Sequence, residues 1–371
     1  MACATPLWSW DLFCRVIDYY GDAGVCWRLA RALVEHGQGP VRLWIDVPAV
    51  LQKLVPQARP GECCEGVQIE AWGNDDPRLT QPDPKEIAQV VIGAFACEPP
   101  PGYRQAMAHS RPVWINLEYL SAEEWVGGHH RLGSPKPDGL VEHFFFPGFD
   151  DATGGLLREA GLATQRRNFG PAEQASFLAS LGVELQPSVR RALLFCYPEA
   201  DARSLLDAFA RQPEPWQVLL PEGIAPGLAE HPAALPIPFV PQRDFDLLLW
   251  SCDLNFIRGE DSLVRALWAG KPLVWQAYRQ EDNARLPKLA AFLARFHQDA
   301  ALPPPVWASW QALHACWNGD PAVSDRPLTG PLSEMLSALP ELTAGAHRWR
   351  DKMEDKPDLV ARLVEFVRKT L

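Results

Sequence analysis

The chain of 371 residues carries 35 Lys and Arg against 46 Asp and Glu, a formal net charge of -11, and is 47% hydrophobic and 22% charged. A length of this order points to two domains of roughly 100–200 residues each, and the composition excludes a globally disordered chain. The acidic balance argues against broad binding to nucleic acid or an anionic membrane surface, since both need clustered Lys and Arg.

From the N-terminus, Met1–Trp10 has neither the basic start nor the apolar stretch of a secretory leader. No apolar run approaches the roughly 18 residues that span a bilayer. The nine Cys include no CxxC, so free thiols in a reducing, cytoplasmic compartment are expected. The first half alternates short apolar strands with helical patterns. Trp10–Ile17 reads as a strand, Asp18–Gly24 as a Gly/Asp loop and Val25–His36 as a helix ending before Gly37. Val41–Ile45 is a strand and Pro48–Leu54 a helix; Val67–Trp72, Val90–Phe95 and Val113–Ile115 are further strands. This alternation predicts a mainly parallel sheet covered on both faces.

Pro147–Gly170, rich in Gly, Asp and Arg, marks the boundary, giving a first domain of 1–150 and a linker of 151–185. The second domain, 186–355, repeats the style. Strands are expected at Ala192–Tyr197, Trp216–Leu219, Ile237–Val240, Leu254–Ile257 and Leu273–Gln276. Helices are expected at Ala202–Arg211, Asp244–Trp250, Asp261–Ala269 and Asn283–Arg295. The amphipathic C-terminal segment within 356–371 is expected to form a helix that packs back on the first domain. The 36 Pro are spread along the chain and form no polyproline linker.

In open α/β sheets ligands sit beyond the carboxyl ends of strands, so the loops there carry the search for chemistry. The first candidate runs through Asp18, Gly21, Asp22 and Gly24. Two carboxylates in one strand-to-helix segment suit general-base work or cation binding; equally, Asp22 caps the helix while Asp18 orders the turn. The second candidate is Arg258-Gly259-Glu260-Asp261-Ser262. The Arg fork can clamp a phosphate beside a helix N-terminus, or it can simply pair with the acids of a first helical turn. The third is Phe195-Cys196-Tyr197, whose two aromatics share a face and suit either base stacking or a core; Phe245, three residues after Gln242, is similar. There is no GxGxxG after the first strand, no GxxxxGK[ST] and no metal-ligand spacing around His129-His130.

These segments resemble the EarP family of bacterial protein-arginine rhamnosyltransferases acting on translation elongation factor P. The likeness runs through Trp10-Asp11-Leu12-Phe13-Cys14, Asp18-Tyr19-Tyr20-Gly21-Asp22-Ala23-Gly24-Val25-Cys26-Trp27-Arg28, Asn116-Leu117-Glu118-Tyr119-Leu120-Ser121, Phe144-Phe145-Phe146-Pro147-Gly148-Phe149, Thr153-Gly154-Gly155-Leu156, Arg258-Gly259-Glu260-Asp261-Ser262 and Gly270-Lys271-Pro272. The resemblance implies a GT-B glycosyltransferase, two Rossmann-like domains with an inter-domain cleft. It implies inverting transfer of L-rhamnose from dTDP-β-L-rhamnose to one arginine of elongation factor P, without metal or cofactor, in the rescue of ribosomes stalled at proline runs. By the same resemblance Asp22 is the general base, Asp18 the second aspartate of that segment and Glu260 an acid needed for activity. Arg258, Asp261 and Ser262 hold phosphates and ribose; Phe195, Phe245, Tyr197, Gln242 and Gly21 complete the donor contacts. The chain departs from the family pattern at Tyr19, usually Asn, and Gly93, usually Glu. The alternative is a GT-B transferase with another donor or a small-molecule acceptor.

Overall fold

The computed structural model describes residues 7–73, 75–186, 188–279, 285–323 and 326–371. The chain divides into two compact units, Met1–Ala160 with Lys356–Leu371, and Gly161–Asp355.

Among the described residues the first unit holds eight strands: β1 (Trp10–Cys14), β2 (Val41–Ile45), β3 (Cys63–Cys64), β4 (Val67–Ala71), β5 (Val90–Ala94), β6 (Val113–Leu117), β7 (Gly133–Pro135) and β8 (Val141–Phe145). They lie in the order β3-β4-β2-β1-β5-β6-β8-β7. β3 and β7 run antiparallel to their neighbours at the two edges; the other pairings are parallel. The central strands are buried throughout, which is why they read as apolar runs rather than alternating ones. In the core, Phe13 stacks with Trp44 at 5.8 Å and meets Trp72 and Tyr103 edge-on at 5.7 and 4.9 Å.

Asp11 places a charge in this apolar interior. Its carboxylate is fully buried and accepts a two-pronged bond from Arg42 (2.5 and 2.5 Å), one from Trp44 Nε1 (3.2 Å) and one from the Tyr103 hydroxyl. Removing one partner of a buried pair leaves the others desolvated. Asp11→Ala is therefore expected to lower unfolding free energy by about 3–5 kcal/mol, measured by urea denaturation, with Asp11→Asn less damaging.

The C-terminal helix Leu359–Thr370 is part of this unit. Asp358 caps it by accepting from the Ala361 amide at 2.8 Å. Its apolar side, Leu359, Val360, Leu363, Phe366 and Val367, is buried. Arg362 donates to the carbonyls of Thr153 (2.8 Å) and Asp151 (3.1 Å) and to the Asp151 carboxylate (2.9 Å). The segment read as a linker is divided: residues to Ala160 stay with the first unit, while helices Leu162–Asn168 and Pro171–Ser180 belong to the second. There Arg166 donates to the Trp268 carbonyl and to Glu354, both at 2.7 Å.

Among the described residues the second unit has five parallel strands, β9 (Arg190–Leu194), β10 (Trp216–Pro221), β11 (Ala234–Ile237), β12 (Leu254–Arg258) and β13 (Leu273–Gln276), ordered β11-β10-β9-β12-β13. β11 sits earlier than the expected Ile237–Val240. As an edge strand it tolerates Pro236, and its register pairs Val218 with Ala234. The expected helix Asn283–Arg295 begins outside the described residues; the described helix is Arg285–Ala300. Three helices absent from the sequence reading, Pro304–Trp317, Thr329–Ser337 and Leu339–Glu354, close the unit through Trp310, Trp349 and Phe296. His314 is fully buried, accepts from the Trp275 amide at 2.9 Å and is held neutral, its pKa lowered by burial to about 4.

In each sheet the chain reverses its direction of growth beside the first strand, between β1 and β5 and between β9 and β12. The carboxyl ends at such a reversal form the crevice that receives ligands in this class of fold. No helix among the described residues is long and apolar enough to cross a membrane.

Candidate functional site

In the first unit the segment after β1 does not continue as a strand to Ile17 and is not a loop to Gly24. A helix, Tyr19–Glu35, begins at once. Asp22 therefore lies inside its first turns, and Asp18 holds the N-cap position without a side-chain capping bond. Asp22 still serves the helix start, from within. Its Oδ2 accepts from the amides of Ile17 and Asp18, both at 2.8 Å. The Tyr119 hydroxyl approaches Oδ1 at 3.5 Å. Asp46, at the end of β2, accepts from the Val16 amide at 2.9 Å and fixes the segment from the other side.

Asp22 is 1% exposed. Burial raises its pKa above the ordinary carboxylate value, against the lowering effect of the two amides and the Tyr119 hydroxyl, and Asp46 adds to the rise. The result is a carboxylate with one oxygen committed to the backbone, the other turned to Tyr119, and more than ordinary basicity. Gly21 lies beneath Asp18: a Cβ there would come within 2.5 Å of Asp18 Oδ2. Its place is thus in the first unit, under the aspartate pair. Ile17 and Tyr19 are exposed beside these carboxylates. Tyr19 has φ +28°, a backbone region where Asn is tolerated better than Tyr.

Tyr119 is held by stacking on Phe95, with centroids 4.4 Å apart and planes 13° from parallel. Phe95 and Ala96 both have left-handed backbone, φ +57° and +58°, and the chain folds back so that the Cys97 amide bonds the Ala94 carbonyl at 3.0 Å. Such strain persists only where the surroundings over-determine it. It also explains Gly93, where a Cβ would fall 2.2 Å from the Cys97 carbonyl oxygen. Gly93→Ala is expected to cost about 1–3 kcal/mol in thermal or urea unfolding and to lower turnover through Tyr119. A larger Gly93→Glu change needs a different course for residues 95–97. A cavity of about 660 Å³ adjoins this region, lined by Arg15, Trp72, Glu98, Arg104 and Asp138 among others; the Arg15 guanidinium lies over the Trp72 ring at 5.6 Å.

In the second unit the residues singled out after β9 and β12 come together. Arg258 closes β12 and donates to the Cys196 carbonyl at 2.9 Å. Its guanidinium lies 4.8 Å from the ring centroids of both Phe195 and Tyr197. Phe245 packs on Phe195 at 5.2 Å, and the Tyr197 amide donates to Gln276 Oε1 at 2.8 Å. The helix Gly259–Ala269 starts immediately after Arg258. The Ser262 hydroxyl donates back to the Arg258 carbonyl, and Asp261 accepts from Gln242 Nε2 at 3.0 Å and from Arg265 Nε at 3.4 Å. Glu260 is paired with Lys288. Arg258 is a stacked cation at the mouth of a helix N-terminus, a favourable setting for a phosphate.

Sequence reasoning assigned no role to Asp46, Tyr119 or Lys288. Tyr119 stood in the Asn116–Ser121 segment, and its link to Asp22 emerges only once β6 lies beside β5. Asp46 and Lys288 carry no spacing signal at all. Among the described residues no group of three or more His, Cys, Asp or Glu is arranged to hold a metal ion.

The family model for elongation-factor P rhamnosyltransferase EarP matches residues 10–368. The chain belongs to the EarP family. It is 44% identical over 383 residues to a protein-arginine rhamnosyltransferase of Pseudomonas aeruginosa, covering 96% of this chain and 98% of that one. It is 42% identical over 388 residues to the Pseudomonas putida protein of the same name, covering 98% and 99%. A solved structure concerned with EarP-mediated arginine glycosylation of translation elongation factor EF-P superposes with a TM-score of 0.68 at 32% identity, over 98% of this chain and 100% of that one. The spinosyn rhamnosyltransferase SpnG, at 13% identity and TM-score 0.56 over 96% and 98%, shares the fold alone. The architecture is that of a GT-B glycosyltransferase, with two Rossmann-like domains, and the EarP-family chain is an enzyme of the arginine-rhamnosylating class.

Proposed function

We propose that this EarP-family chain transfers L-rhamnose from dTDP-β-L-rhamnose to one arginine of translation elongation factor P, inverting the anomeric carbon and using neither metal nor cofactor. The observation that carries the reading is Asp22: buried, raised in pKa and presented at the chain reversal of the first sheet. A guanidinium, with pKa above about 12, is a poor nucleophile because its lone pairs are delocalised. Asp18 and Asp22 orient the cation and localise its charge. As the terminal nitrogen attacks the anomeric carbon, it becomes acidic and its proton passes to Asp22. The carbon–oxygen bond to the diphosphate breaks in the same displacement, which inverts the centre.

The departing dTDP takes up negative charge. Arg258 and the amides opening helix Gly259–Ala269 supply the compensating charge, and Phe195, Tyr197 and Phe245 receive the thymine. Asp261, Gln242 and Ser262 complete the donor contacts, while Glu260 acts at the sugar end of the same turn. The acceptor is a translation factor, so the enzyme works in the cytoplasm. The test is intact mass of elongation factor P after incubation with this protein and dTDP-β-L-rhamnose. Gain of one deoxyhexose on one arginine is the expected result. No gain, with dTDP shown to bind, overturns the acceptor assignment; gain only with another nucleotide sugar overturns the donor.

A further inference from the structure

The first turn of helix Gly259–Ala269 carries two carboxylates where the proposed reading places a diphosphate. An acid in that turn favours the helix dipole but repels an anionic ligand. Each is met by a group from elsewhere. Asp261 takes the Gln242 amide and the Arg265 guanidinium. Glu260 takes the ammonium of Lys288, which comes from a separate helix, Arg285–Ala300. Both side chains of this pair are largely shielded, 14% exposed for Glu260 and 23% for Lys288, so solvent screens the pair only partly. Arg258 also donates to the Cys196 carbonyl and lies over two aromatic rings.

We propose that Lys288 is a positioning residue of the donor site, which holds Glu260 and offsets its charge so that this turn can accept the nucleotide's diphosphate. The role rests on the donor reading above. An ammonium suits it because its three N–H donors turn freely, so one can stay on Glu260 while another meets a phosphate oxygen. Glu260 is thereby kept in place for the sugar without an uncompensated charge against the leaving group.

Calorimetric titration of the full-length protein with dTDP and with thymidine separates this role from a structural one. Lys288→Met is expected to weaken dTDP by about tenfold or more, because it removes the ammonium that offsets a shielded carboxylate beside the phosphates, while thymidine changes by less than about twofold. Lys288→Arg is expected to restore dTDP to within about threefold of wild type. Adding Glu260→Gln to Lys288→Met is expected to recover several-fold of the loss, since the repelling charge is gone. Wild-type dTDP affinity in Lys288→Met, or equal losses for dTDP and thymidine, overturns the role of Lys288 while leaving the donor reading intact. Failure of the wild type to bind dTDP overturns the donor reading and this role with it. Should Lys288→Met not fold, Glu260→Gln alone decides: dTDP binding at or above wild type supports the proposal, and weaker binding overturns it.

Discussion

Asp22→Asn is expected to lower rhamnosyl transfer by about 10²–10⁴-fold while dTDP affinity stays near wild type. The substitution suits the test because the asparagine carbonyl can accept from the Ile17 and Asp18 amides as the carboxylate does, while its NH2 group meets the Tyr119 hydroxyl oxygen. The segment keeps its shape and loses only its capacity to take a proton. Single-turnover kinetics with saturating donor read the loss, and titration with dTDP reads the binding. A parallel collapse of both would show that Asp22 holds the fold of the site rather than serving as its base.

The raised pKa of Asp22 gives this prediction two pH signatures. As a base the residue must be ionised, so turnover falls as pH drops through its native pKa, which lies above the ordinary carboxylate value. Stability runs the other way. Between the unfolded and native pKa values the folded state holds the proton more tightly than the unfolded chain, so this residue's contribution is greatest at low pH and is lost as pH rises through the native value. At neutral pH the buried carboxylate is therefore a cost to folding. Asp22→Asn is expected to match or exceed the wild-type melting temperature at pH 7, with the difference narrowing as pH falls.

Arg258→Met is expected to lower turnover by about 10²–10³-fold and to weaken dTDP, because the cation that meets the leaving group is lost. Arg258→Lys is not expected to rescue it. A planar guanidinium lies against Phe195 and Tyr197 while donating to the Cys196 carbonyl, and an ammonium on a flexible stem cannot reproduce all three contacts. Turnover and dTDP affinity measured side by side give the split. Near-wild-type activity in Arg258→Lys would reduce the residue's part to charge alone.

The strands at the centre of both sheets were legible because full burial writes itself as short apolar runs such as Leu254–Ile257. The edges were not: β3 is two residues long and β11 contains Pro236, so neither gives a clear pattern. The helices after Pro303 were missed because their Trp and Leu face several neighbours, which blurs the helical period. At the first candidate site the two glycines suggested a loop. Helix geometry won there because Asp22 ties its own side chain back to the amides that open the helix. At the second, an Arg two positions from a Glu reads as an ion pair, whereas the stacking of Arg258 on two rings at β9's carboxyl end and the pairing of Glu260 with Lys288 come from tertiary neighbours. Tertiary neighbours such as Asp46 and Lys288 lie 28 residues or so from the residues they hold, beyond what local spacing can encode.

The C-terminal helix belongs to the first unit, whereas Gly161–Asp355 is one unbroken stretch. This sets an order for synthesis. The second unit has all of its residues in hand once Asp355 leaves the ribosome, and folding can begin there. The first unit, although translated earlier, waits for Arg362 to reach the carbonyls of Asp151 and Thr153 and for Phe366 to cover Phe145. The half of the molecule that bears Asp22 is thus the last to be finished, and a nascent chain that stalls before Lys356 holds a complete second unit beside an unsealed first one.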